Sequence, residues 1–162
     1  MNTKKITVTA LTVTLAMILS FVESQIPAFV AVPGVKMGLA NIAVVFALYK
    51  LGWKEAAAVS LVRVVLVSML FGSIASLFYS LAGAVLSLIG MGLLKHSGKF
   101  TEIVVSVAGG VLHNIGQIAM ASIILETDAL RYYLPVLLIS GTVAGVVIGV
   151  ISAVLVKRIR ID

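Results

Sequence analysis

No cysteine occurs in the chain, which removes disulfides, thiolate metal sites and cysteine nucleophiles together. Acidic residues are almost as scarce, six among 162, and no two are adjacent. That leaves no acidic cluster of the DDxxD kind that holds a metal-bound diphosphate. HExxH, GxSxG and P-loop patterns are missing as well. His113 has no acidic residue at helical spacing, and one histidine among amides is too few ligands for a metal. The chain therefore reads as not an enzyme, with no cofactor and no metal. It also lacks an ATP site, so any active transport needs a partner to supply the energy.

Charge of either sign is limited to 11% of residues, against about 25% in an ordinary soluble domain. What replaces it is apolar: 61% of the chain is hydrophobic. A soluble fold of this length has too little polar surface to cover such a chain, so the side chains must face lipid. The length implies one domain over residues 1–162. Breaks at charge, proline and glycine predict an all-α membrane protein. It is a compact bundle of six transmembrane helices at about 6–24, 36–50, 55–71, 73–94, 102–125 and 133–157. The first is read as a retained helix, because no small-x-small cleavage site follows it and Pro27 and Pro33 come next. Segments two and three are short, and segment three holds Arg63. They are short spans or a helical hairpin that enters and leaves on one side.

The net charge of +6 would suit nucleic acid, but the positions of the charges point elsewhere. Lys4, Lys5, Lys50, Lys54, Lys95, Lys99, Lys157, Arg158 and Arg160 fall on one side of an alternating chain; Lys36 and Arg131 fall on the other. By the positive-inside rule the richer side is cytoplasmic, with both termini there, in a bacterial inner membrane. Nucleic acid is excluded as a partner.

Small residues suggest packing. Gly141, Gly145 and Gly149 repeat every four residues, a doubled GxxxG that admits a close helix neighbour, internal or from another subunit. Segment one carries weaker pairs, Ala10 with Thr14 and Thr12 with Ala16.

Polar groups inside a bilayer are costly and call for a reason. They are Glu23, Lys36, Asn41, Arg63, Tyr79, His113, Asn114 and Gln117. At 1.5 Å per residue, Arg63 lies about 14 Å into segment three, His113 about 16 Å and Gln117 about 22 Å along segment five, and Asn41 about 8 Å below the outer surface. All converge on the outer half. His113 and Gln117 share a helix face, and Asn114 lies three residues before Gln117. Such donors in an apolar wall suit a binding cavity for a small organic molecule, with Arg63 holding an acidic or carbonyl group. Rival readings stand beside this one. Arg63 pairs with Glu23 or Glu55 and staples the bundle. His113, Asn114 and Gln117 serve as interhelical hydrogen-bond glue. Lys36 merely snorkels to the interface.

Four stretches carry a resemblance: ESQIPAFVAVPGVKMGLANI from Glu23, SLVRVVLVSMLFG at 60–72, SLFYSLAGA at 76–84 and VLHNIGQ at 111–117. Together they resemble the bacterial membrane family labelled heptaprenyl diphosphate synthase component I, also called the Gx transporter family. That family is similar in turn to the S components of energy-coupling factor (ECF) transporters. The resemblance implies a six-helix subunit that captures a vitamin-like, quinone-related or isoprenoid-related molecule from outside, amid membrane lipid. It implies docking to a coupling protein and two ATPase subunits. It places the ligand under the loop Ser24–Val35 and the start of helix two at Gly38–Asn41. An Ala-xxx-Ala docking motif of S components has only Ala10-xxx-Thr14 or Thr12-xxx-Ala16 as its equivalent. The label itself implies an alternative, an accessory subunit of a polyprenyl diphosphate synthase.

Overall fold

The computed structural model describes residues 3–25, 38–127 and 129–159. Among them are six α-helices and no strand: α1 Thr3–Gln25, α2 Asn41–Lys50, α3 Trp53–Phe71, α4 Ile74–His96, α5 Glu102–Ile124 and α6 Leu134–Arg158. A short 3-10 helix, Ala129–Tyr133, leads into α6. Four helices are long and apolar enough to cross a membrane: α1, α4, α5 and α6 with the 3-10 turn before it. The chain is a multi-pass membrane protein. α3 has 19 residues, enough for about 28 Å, but contains Lys54, Glu55 and Arg63.

Local chemistry sets several helix ends. Ser73 and Ser76 form a reciprocal capping box at the start of α4. The Thr101 hydroxyl accepts the Val104 N–H at the start of α5. Pro135 occupies the first turn of α6, where its missing N–H costs nothing. Lys50, Lys95 with His96, and Lys157 with Arg158 sit in the last turns of α2, α4 and α6. There they complement the negative helix ends.

The packing inverts a soluble protein. Leu11, Leu15, Ile139, Val143 and Val147 face outward, while Thr12, Ser20, Ser60, Ser87, Ser106 and Ser152 are buried. Small residues inside let helices approach closely where lipid supplies no hydrophobic drive between them. α5 lies between α4 and α6; α1 packs chiefly on α2 and α3; α2 is enclosed by α1, α3, α6 and, at fewer points, α5. Six consecutive residues of α2, Ala43–Leu48, are buried, so this helix has no lipid face.

One expectation is corrected here. The second helix begins at Asn41, after a turn at residues 38–40, not near Lys36. Its ten residues extend about 15 Å, half of a hydrocarbon layer about 30 Å thick. Asn41 thus begins α2 about 14 Å from its Lys50 end. Gly38 sits at the same level: a Cβ there would come 3.2 Å from Cδ1 of Ile148, ten residues before the end of α6. The cause is local. Gly38 takes φ +72°, a left-handed conformation that breaks the helix. The N–H groups of Asn41, Ile42 and Ala43 turn back onto the carbonyls of residues 38, 39 and 40.

Candidate functional site

Irregular main chain at membrane depth persists only where protein or a water-filled cavity satisfies it. Here Glu23 does so. Its Oε1 accepts the Gly38 N–H at 2.5 Å, bridging the end of α1 to the start of α2. A charge-assisted bond of this kind is about twice as strong as a neutral one. It also puts a negative charge beside the positive end of a helix. Asn41 borders the same turn, its Nδ2 3.8 Å from where a Cβ on Gly38 would stand.

Arg63 on α3 is the second charge of this neighbourhood. Glu23 is the acid whose field reaches it. Yet no ion pair joins the two, and the Arg63 Nε is buried without a hydrogen-bond partner among the described residues. The other acid weighed as a partner, Glu55, is engaged elsewhere: it pairs with Lys5 at 2.7 Å. A guanidinium with an unsatisfied buried donor is costly in a low-dielectric setting. It is suited to donate to a carboxylate or carbonyl brought from outside the chain.

The residues of α5 divide between two seams. A Cβ on Gly83 of α4 would fall 2.9 Å from the His113 Nδ1 and 2.9 Å from the Gln117 Cγ. Both side chains therefore lie over α4. Tyr79 is one turn before Gly83 on the same face, at the same seam. Asn114 turns the other way: its Nδ2 donates to the Leu137 carbonyl of α6 at 2.6 Å. So the structure brings Glu23, Asn41 and Arg63 to the interruption before α2, places Tyr79, His113 and Gln117 in the α4–α5 seam, and spends Asn114 on α6. Lys36 and residues 26–35 lie outside the described residues.

The small-residue motifs find their neighbours inside the bundle. Gly141 abuts Gly110, Gly145 abuts Val107, and Gly149 abuts Ile103, all on α5. On α1, Thr12 and Ala16 are buried, whereas Ala10 and Thr14 are exposed and share a hydrogen bond along the helix.

Two features escaped sequence reasoning. The Gly38 N–H is the partner of Glu23, and only the glycine in GLAN hinted at a break. Lys95 Nζ donates to the Leu48 carbonyl and lies 5.2 Å over the Tyr49 ring, tying α4 to the end of α2. Nothing in the spacing of these residues announces that contact. Among the described residues no group of three or more His, Asp or Glu side chains stands together as a metal site.

A family model, heptaprenyl diphosphate synthase component I, matches residues 12–155, from within α1 to near the end of α6. No curated protein and no solved structure matches the chain significantly.

Proposed function

The chain belongs to the heptaprenyl diphosphate synthase component I family, and on that premise we propose that it is the substrate-binding membrane subunit of an ECF-type importer. It captures a small organic micronutrient or precursor on the face opposite the basic end of the bundle, and a coupling protein with two ATPase subunits drives release. It is not itself a catalyst, and the reading requires neither metal nor cofactor. The observation that carries it is Arg63: a guanidinium whose buried Nε has no hydrogen-bond partner among the described residues, near Glu23 but not bridged to it, beside the interrupted start of α2. Such a group gains most from a ligand that brings an acceptor of its own. Arg63 holds the acidic or carbonyl group, Asn41 and Glu23 frame it, and Tyr79, His113 and Gln117 orient the rest.

Thermal-shift or native mass spectrometry with a panel of vitamins and quinone precursors tests this. At least one compound is expected to bind, and Arg63→Ala and Gln117→Ala are expected to weaken it. If both variants bind every hit as well as the parent, the site is elsewhere.

The family description supports a second reading, a membrane accessory subunit of a polyprenyl diphosphate synthase. Affinity purification of the tagged protein separates the two. Co-purifying ATPase and coupling subunits favour the importer; a soluble, aspartate-rich synthase whose product length changes favours the accessory subunit.

A further inference from the structure

An open groove of about 340 Å³ lies at the basic end of the bundle, lined by Leu48, Trp53, Gly92, Lys95 and His96. It lies by the Lys50 end of α2, about 10 Å along that helix from Asn41, and plays no part in the capture site. Its volume falls at the lower end of the roughly 300–1,000 Å³ typical of small-molecule sites.

Gly92 makes the groove. A Cβ there would come within 2.1 Å of the Trp53 ring, so the absent side chain lets the indole lie on the α4 main chain. Lys95 is held in place by the Leu48 carbonyl and the Tyr49 ring. An ammonium has three N–H donors, so two remain after the bond to Leu48. His96 follows in the same last turn and is exposed. Among the described residues no acidic side chain lines the groove.

The groove does not end in water on all sides. Ile89, Gly92, Leu93 and His96 fall at i, i+3, i+4 and i+7, a single face of α4. On that face Ile89 is 47% and Leu93 68% exposed. An apolar stripe thus runs from the cationic groove into the membrane, with an indole at the boundary, where tryptophan prefers to sit. A soluble anion has no use for the stripe; a lipid uses both parts. Basic pockets between membrane helices are known to receive anionic headgroups.

We propose that this groove between α3 and α4 is a headgroup site for an anionic phospholipid, its phosphate on Lys95 and His96 and an acyl chain along Ile89 and Leu93. The lipid belongs to the leaflet at the basic end, and it ties α3 to α4 there.

The test is native mass spectrometry of the delipidated protein with added phosphatidylglycerol, phosphatidylcholine or inorganic phosphate. Phosphatidylglycerol is expected to be retained over phosphatidylcholine and to resist a large excess of phosphate. His96→Gln should weaken retention about fivefold, and Lys95→Gln with His96→Gln about twentyfold or more. Lys95 also supports α2, so Trp53→Phe combined with His96→Gln gives a second variant that leaves that contact intact. Equal retention of the two lipids, unchanged retention in both double variants, or displacement by phosphate would each overturn the assignment.

Discussion

Along α4, α5 and α6, glycines bring main chain against main chain, whereas α1, α2 and α3 meet through buried alanine, valine and leucine side chains, with charged contacts set beside an interrupted helix. A Cβ on Gly110 would lie 2.6 Å from the Gly141 carbonyl oxygen, one on Gly116 2.7 Å from the Ala82 carbonyl oxygen, and one on Gly145 2.6 Å from the Val107 Cα. There is no slack in these seams, because backbone cannot step aside as a side-chain tip can. In the other half, α2 is half-length, Arg63 has a buried donor without a partner among the described residues, and α1 packs chiefly on α2 and α3. Buried hydroxyls without partners among the described residues also occur in the glycine-packed half, Ser122 on α5 and Ser152 on α6, so what sets the other half apart is a buried charge. The division sets a rigid, glycine-packed frame beside the half that holds this guanidinium.

The strongest way to break this comparison is to fill a seam. Gly110→Leu and Gly145→Leu are each expected to cost about 3 kcal/mol or more, because overpacking against main chain has no easy relaxation. Thermal unfolding in detergent reads this, and a stable Gly145→Leu protein would show that the seam is looser than drawn. Next comes Arg63→Met. Ligand affinity should fall at least about 30-fold, while stability stays within about 1 kcal/mol or rises, since an unpaired buried charge is replaced by an apolar chain of similar length. A large loss of stability would instead make Arg63 a structural staple. Asn114→Leu should act oppositely, costing about 1 kcal/mol through the lost bond to Leu137 and leaving ligand affinity unchanged. Lys5→Ala is expected to do least, under about 1 kcal/mol, because its pairing with Glu55 is partly open to solvent and screened by salt.

Much of the frame was legible in the sequence. The last three helices fall within two residues of their expected bounds, because lysines, serines and Gly98 mark their ends in plain composition. α2 was not legible in the same way. Gly38, Leu39 and Ala40 continue the apolar run into the helix, and hydropathy does not distinguish a helical turn from a tight one. Only the backbone conformation of Gly38 does. The α5 residues show a related limit. Successive residues point about 100° apart on a helix, so His113 and Asn114 meet different neighbours when one helix lies on each side. Spacing grouped them; the position of α5 between α4 and α6 divides them. Arg63 is recognisable as costly from sequence alone, but that neither candidate acid pairs with it is not. Glu55 goes to Lys5 and Glu23 to a main-chain N–H, and both choices depend on tertiary contacts.

Trp53 is the chain's one tryptophan, and its indole rests on the α4 main chain at Gly92. The protein's tryptophan emission therefore comes from a single spot, half in contact with α4 and half exposed. Emission wavelength and quenching by a water-borne or a brominated lipid quencher would sense that spot alone. With no label added, the α3–α4 junction reports on itself whenever something at the basic end of the bundle arrives or leaves.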